Sequence, residues 1–255
     1  VHPDNEDVQE PTLADLLERG ALPRVVGIGE TGLDYYQMEQ RKGGRSVADM
    51  EWQRNRFRVH IRAARQVRRP LIIHTREAAD DTIAILREEG EDGALGSVGG
   101  VFHCFTETER VARAALDMGF FISFSGILTF KSATSLREVA SLVPMDRLLI
   151  ETDSPYLAPV PYRGKPNQPA YVPHVAAELA RLKGCDVAQI AKSIVFRAGT
   201  RPVLVIASGA NRVDTGKVAA AAGVTVKRAD GGWVRDVTGF AIGGVAPLGH
   251  LTPPI

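Results

Sequence analysis

At 255 residues the chain can bury one large hydrophobic core or two small ones, and its 44% apolar and 24% charged residues are ordinary for a soluble globular protein. A net charge of +1 gives no overall pull toward nucleic acid or acidic membranes, so any such binding must come from local patches. Two cysteines exclude a disulfide framework and fit a reducing, cytoplasmic setting, and no apolar stretch approaches the roughly 18 residues that span a bilayer.

The opening segment VHPDNEDVQEP is polar and acidic, unlike a secretory leader, and it starts at Val1 as a fragment of a longer reading would. From residue 21 to about 184, short apolar runs alternate with helical patterns. The runs are RVVGIGE (24–30), PLIIHT (70–75), GVFHCF (100–105), FFISFSGI (120–127) and RLLIETD (147–153). Continuous apolar runs of this length, separated by helices, predict parallel strands buried on both faces. Val111, Ala114, Ala115 and Met118 follow a helical period that Gly119 stops. Leu136, Val139, Ala140 and Val143 repeat it up to Pro144, and Val172, Val175, Leu179 and Leu182 repeat it up to Gly184. Strand–helix alternation of this kind predicts an α/β architecture, either doubly wound or a barrel.

After Gly184 the texture changes and acidic residues thin out. SIVFR and PVLVIAS flank the short turn AGT, which predicts an antiparallel hairpin. Asp214 is a candidate cap for a helix TGKVAAAA that stops at Gly223, and VTVKRA is a further strand candidate. The closing stretch TGFAIGGVAPLGHLTPPI reads as a Gly/Pro-rich loop.

Four potential metal ligands each end or follow an apolar run: Glu30, His74, His103 and Asp153. In a β/α barrel, residues at the carboxyl ends of strands converge on one mouth. Two imidazoles and two carboxylates suit Zn, Mn or Mg ions that activate water. Taken singly, each has a plainer use, the histidines as structural hydrogen-bonding groups and the carboxylates as helix caps. Arg76, two residues after His74, and Arg163 and Lys165 follow strand ends and are candidates for gripping phosphate. Ten Lys/Arg lie between Arg41 and Arg69 against only Asp49 and Glu51. Such a run suits either a DNA backbone or a solvated outer helix face.

The stretches VGIGETGLDYY, PLIIHTREA, GVFHCFTE, FFISFSGILTFK and LLIETDSPYLAPVPYRGKPNQPAYVPHVAAELARLKG resemble successive motifs of the TatD family of metal-dependent deoxyribonucleases, over residues 1–184. The resemblance implies a TIM-type (β/α) barrel, here incomplete with about five parallel strands. It implies DNA as substrate, cleaved at phosphodiester bonds by metal-activated water. It places metal ligands at Glu30, His74, His103 and Asp153, with Asp153 also helping to take the proton. The family opens with a His-x-His pair that supplies two further ligands, and this sequence contains none, so one or two divalent ions are expected and the first site is incomplete. His2, in VHP, resembles a segment at the end of the family's third strand. Gln168 stands where the family has NEP, and Pro166 where a basic residue is common.

Residues 185–255 resemble the YbaK/ProX family of aminoacyl-tRNA editing domains, through CDVAQIAKSIVFRAG, PVLVIASGANRVDTGKVAAAAGV and VKRADGGWVRDVTGFAIGGVAPLGH. This segment is expected to be a partial mixed α+β domain, truncated at both ends. On pattern alone Lys192 reads as a surface residue just before a strand. The resemblance makes it the lysine that holds the acceptor-end phosphate or the substrate, and makes Gly239, Gly243 and Gly244 the pocket loop. Aminoacyl-tRNA then becomes a second possible substrate, hydrolysed without metal. No membrane association and no obligate protein partner are expected. Three readings stand: a TatD-type nuclease, an aminoacyl-tRNA deacylase, and an inactive fusion of two truncated domains that at most binds metal or nucleic acid weakly.

Overall fold

The structure, a computed structural model, describes residues 1–40, 44–189, 191–208, 211–239, 245 and 250–255. The chain divides into two compact units, Val1–Glu151 and Thr152–Ile255.

In the first unit, helix α1 (Leu13–Gly20) begins at Thr12, whose hydroxyl accepts from the Asp15 N–H while the Asp15 carboxylate accepts from the Thr12 N–H. Strand and helix then alternate as β1 (Ile28–Asp34), α2 (Glu51–Val67), β2 (Leu71–Arg76), α3 (Ala79–Glu88), β3 (Gly100–Phe102), α4 (Glu109–Asp117), β4 (Phe121–Phe124), α5 (Thr134–Leu142) and β5 (Leu148–Ile150). All strand pairs are parallel, in the order β1-β2-β3-β4-β5. This is the α/β arrangement of a TIM-type segment, in which each strand lies beside its sequence neighbours. The helical periods end where their stop residues stand: Gly119 follows α4 at φ 84°, and Pro144 follows α5. Phe102, Phe105, Phe120 and Phe124 are fully or nearly fully buried and meet edge to face, with ring centroids 5.5–6.4 Å apart.

The arginine-rich run becomes α2. Its arginines face carboxylates of the same unit: Arg54 meets Glu51 and Asp81, Arg56 meets Glu10, Arg58 meets Glu51 and Glu88, Arg62 meets Glu89, and Arg65 meets Glu91. The excess of positive charge seen along the sequence is therefore largely answered by acids from other segments.

In the second unit a loop leads to α6 (Val172–Lys183), closed by Gly184 in the left-handed conformation at φ 61°. Strands β6 (Ala191–Ala198) and β7 (Arg201–Ser208) form the expected antiparallel hairpin around Gly199 and Thr200. Asp214 caps α7 (Thr215–Ala222) through the N–H groups of Gly216 and Lys217, and Gly223 ends it. The strand expected from VTVKRA shortens to β8 (Lys227–Arg228), and α8 (Gly231–Thr238) follows, capped by Asp230. The sheet order is β7-β6-β8. Phe196, Val203 and Val226 form its core, with Ile194, Val205 and Val218 packed against them. Among the described residues no helix is long and apolar enough to cross a membrane.

Gly32 sits where β1 passes closest to β2. Its φ is 131°, and a Cβ there would collide with the His74 carbonyl oxygen. Gly32→Ala is expected to destabilise the first unit by about 2–4 kcal/mol, read as a lower midpoint in chemical denaturation.

Candidate metal centre

Glu30 does not end its strand, as the sequence pattern suggests. The strand continues to Asp34, and Glu30 lies within a β-bulge instead. Ile28 pairs with Leu71 and Thr31 with Ile73, so β1 carries one more residue than β2 across this step. Such bulges re-aim a side chain. Here they leave the Glu30 carboxylate facing the histidines of the next two strands.

His74, on β2, places Nδ1 3.0 Å from Glu30 Oε1 and Nε2 3.1 Å from Asp34 Oδ2. His103, immediately after β3, places Nε2 3.7 Å from the same Glu30 oxygen. Its Nδ1 lies 2.8 Å from Glu151 Oε1. His2 adds a third imidazole, with Nε2 3.5 Å from Glu30 Oε1 and its ring centroid 4.6 Å from that of His74. One carboxylate oxygen is thus approached by nitrogens of three histidines.

The carboxylates behind the two expected ligands decide which nitrogen each presents. Carboxylates only accept hydrogen bonds, so Asp34 takes the Nε2 proton of His74 and Glu151 takes the Nδ1 proton of His103. Both acids are themselves held. Asp34 is 2% exposed, its second oxygen accepts from the Tyr36 N–H, and its backbone exchanges two hydrogen bonds with the buried Gln53 side chain. Glu151 accepts from the Cys104 N–H at 2.9 Å and from Ser123 Oγ at 2.6 Å. The remaining nitrogens, His74 Nδ1 and His103 Nε2, both point at Glu30. A carboxylate behind each imidazole, with the second ring nitrogens converging on a third acid, is the pattern of a cation-binding cluster. The ligand-type atoms of His2, Glu30 and His74 all lie within 4.8 Å of one another. The donor set, imidazole nitrogens and one carboxylate, fits a first-row divalent ion.

Charge follows from this geometry. Burial disfavours protonated His74, but its hydrogen bonds to Asp34 and Glu30 outweigh that and raise it to about 9. Burial likewise opposes ionised Glu30, yet the His2 and His74 hydrogen bonds and the His103 charge hold it well below the usual carboxylate range.

Asp153, the fourth expected ligand, lies two residues beyond Glu151, in the second unit. Its backbone is left-handed at φ 60°, and its carbonyl accepts from the Tyr156 N–H in a turn, so no helix starts there for it to cap. Arg76 closes β2 on the same face as His74, its guanidinium 3.4 Å from the centre of the Tyr36 ring. Arg163 and Lys165 are exposed in the loop before α6. Asn167 ties that loop together, donating to the carbonyls of Thr152 and Tyr156 at 2.7 Å each. Asp34, Glu151 and His2 are not among the ligands expected from the sequence, although Asp34 ends β1 and Glu151 directly follows β5. GLDYY places Asp34 only four residues after Glu30, and LLIETD places Glu151 two before Asp153. The signal for both is spacing from an expected ligand.

Lys192 lies inside β6 rather than before it, and Nζ donates to the Asn211 carbonyl at 2.7 Å. It lines a cavity of about 780 Å³ with Phe196, Asn211, Thr215, Arg228 and Val234. Gly239 ends α8 in the left-handed conformation, φ 82°, against Leu251. Gly243 and Gly244 lie outside the described residues.

Residues 1–198 match the family model described as TatD related DNase, and residues 173–254 match the aminoacyl-tRNA editing domain. An uncharacterized metal-dependent hydrolase, YcfH, of Escherichia coli strain K12 is 50% identical over 193 residues, 75% of this chain and 68% of that protein. A 3'-5' ssDNA/RNA exonuclease TatD of Citrobacter rodentium is 34% identical over 198 residues, 75% of this chain and 70% of that protein. The crystal structure of YjjV, a TatD homologue from Escherichia coli K12, superposes with a TM-score of 0.61 at 28% identity, covering 71% of this chain and 66% of that one. The chain thus spans about two thirds of the length of these relatives.

Two consequences are measurable. Raised from 6.5 to about 9, His74 stabilises the metal-free fold fully below pH 6.5, and this contribution is lost as pH rises through 9. NMR titration of the His74 ring should give the raised value, and His74→Gln should flatten that part of the stability profile. A divalent ion held by His74 Nδ1 would displace the proton there, so calorimetry near neutral pH in buffers of different ionisation enthalpy should report proton release.

Proposed function

The chain belongs to the TatD-related DNase family, and from that premise we propose that it is a metal-dependent phosphodiesterase acting on DNA. The observation that carries this reading is the convergence of His74 Nδ1 and His103 Nε2 on Glu30 Oε1, with Asp34 and Glu151 bonded behind the two rings.

Glu30, His74 and His103 would hold a divalent ion, Mg, Mn or Zn, and Asp153 would complete the set in keeping with its place in LLIETD. His2 is a further candidate. When bound, such an ion lowers the pKa of water and stabilises negative charge developing on phosphate oxygens. The chain's own groups do the rest. Asp34 and Glu151 fix the tautomers and orient the rings, so the ligand nitrogens are presented without a search over rotamers. Asp153 accepts the proton of the attacking water. Arg76, Arg163 and Lys165 neutralise the phosphate backbone. The name of the Citrobacter relative, an exonuclease of single-stranded DNA and RNA, supports a nucleic-acid substrate.

For residues beyond about 184 we infer a different ancestry, with the TatD-like part spanning 1–184 and an editing-domain part spanning 185–255. The cavity around Lys192 favours a second activity there, hydrolysis of an aminoacyl-tRNA ester, with Lys192 holding the acceptor end.

His103→Ala should weaken Mn or Zn binding by at least tenfold in isothermal titration and remove DNA cleavage. An affinity equal to that of the parent would break the ligand assignment. Release of amino acid from mischarged tRNA should persist with a chelator present and vanish in Lys192→Ala. An unchanged rate in that variant would take Lys192 out of the reaction.

A further inference from the structure

Tyr156 lies in the loop before α6, three residues after Asp153 and in the same unit. Its side chain is 70% exposed, the highest value among the large hydrophobic side chains of the described residues. Its backbone is nevertheless held from both sides. The Tyr156 N–H donates to the Asp153 carbonyl at 2.9 Å, and the Tyr156 carbonyl accepts from Asn167 Nδ2 at 2.7 Å. The Asn167 N–H donates to the Pro155 carbonyl at 2.9 Å. Asn167 is buried and its amide is fully engaged: Nδ2 also donates to the Thr152 carbonyl, and Oδ1 accepts from the Gln168 N–H.

Asp153 and Leu157 flank this turn with φ of 60° and 57°, the left-handed conformation that residues other than glycine rarely adopt. Such conformations persist where surrounding bonds over-determine them, and they gather at ligand clamps. Here Tyr156 is turned outward while Ala158 and Pro159, just beyond it, are buried. The neighbouring aromatics behave differently. Tyr162 and Tyr171 stack on one another, ring centroids 3.9 Å apart and planes within 3°, and His174 closes the group edge-on. Those rings occupy one another, whereas the Tyr156 ring is open to solvent. Asn167 also ties this ring to positive charge. Lys165 lies two residues before Asn167, and its N–H donates to the Tyr162 carbonyl at 3.1 Å. One buried amide thus holds an exposed ring and an exposed ammonium in a single fixed loop.

We propose that Tyr156 is a substrate-positioning residue that stacks on a nucleobase of the DNA strand, the base of the nucleotide whose phosphate meets Lys165. The proposal rests on the phosphodiesterase reading of the first site. Stacking needs a base whose face is open, so the ring selects an unpaired base at a strand end. Every base has a π-face, so the contact tolerates any sequence, and stacking strength then favours purines over pyrimidines. A ring on a pinned backbone loses little freedom when it stacks, and it stands three residues from Asp153.

The test uses the full chain with Mn and two single-stranded DNA oligonucleotides, one intact and one with an abasic terminal nucleotide. In the parent, KM for the abasic strand should be about tenfold higher than for the intact one. In Tyr156→Ala that ratio should collapse to near one, because the intact strand loses the same contact, and the loss should fall on KM rather than kcat. Tyr156→Phe and Tyr156→Trp should keep the ratio, since both retain a flat ring. A ratio in Tyr156→Ala equal to that of the parent overturns the proposal. Stacking is also read without turnover, from the fluorescence of 2-aminopurine placed at either end of the strand. Binding should quench it in the parent and in Tyr156→Phe, and leave it bright in Tyr156→Ala. If the parent cleaves neither strand but the Tyr156-dependent quench is present, the phosphodiesterase reading fails and the stacking site stands. If the parent cleaves DNA and the quench is the same in Tyr156→Ala, the stacking site fails while the phosphodiesterase reading holds.

Discussion

One carboxylate oxygen governs the first unit. Glu30 Oε1 faces imidazole nitrogens from His2, His74 and His103 at 3.5, 3.0 and 3.7 Å. Histidines gathered around one acid resolve their electrostatics by protonation or by sharing a cation. Glu30 lies in the β-bulge of β1, with its carboxylate facing these histidines. Asp34 and Glu151 then remove the remaining freedom by fixing which nitrogen each ring presents. A site whose ligands are oriented beforehand loses little side-chain entropy when it binds.

The same unit contains a second electrostatic system with a different outcome. The arginines of α2 meet acids from α1's neighbourhood and from the end of α3, and one pair is deep: Glu91 is fully buried, bound to Arg65, Ser97 Oγ and the Val98 N–H. Such a pair is tolerable because each carboxylate oxygen is satisfied. The more exposed pairs contribute little each, about 0–1 kcal/mol. This network orients helices, whereas Arg197 on β6 stands opposite Lys227 on β8.

Much of the architecture was legible from the residues alone. The apolar runs marked all five parallel strands, and Gly119, Pro144 and Gly184 marked where helices stop. The hairpin and the Asp214-capped helix were equally plain, because turn and cap chemistry is local. Strand ends were less so: RVVGIGE begins at residue 24, but β1 begins at Ile28 and runs on to Asp34, through polar residues that no apolar pattern includes. Glu30, His74 and His103 could be picked out because each ends or closely follows an apolar run of the sequence. Asp34 and Glu151 could not, since their role depends on pairing with histidines 40 and 48 residues away, which only the sheet brings near. The balancing of the α2 arginines is hidden for the same reason, as Glu88, Glu89 and Glu91 lie far along the chain.

The strand order of the first sheet, β1-β2-β3-β4-β5, bears on how the molecule is made. Each new strand docks beside the one synthesised just before it, with one helix intervening and no insertion between strands already paired. A sheet of this order can be extended one strand at a time as the polypeptide leaves the ribosome. Glu30 and His74 can therefore meet while β4 and β5 are still being translated, and the leading edge of the nascent sheet advances by one strand at each step.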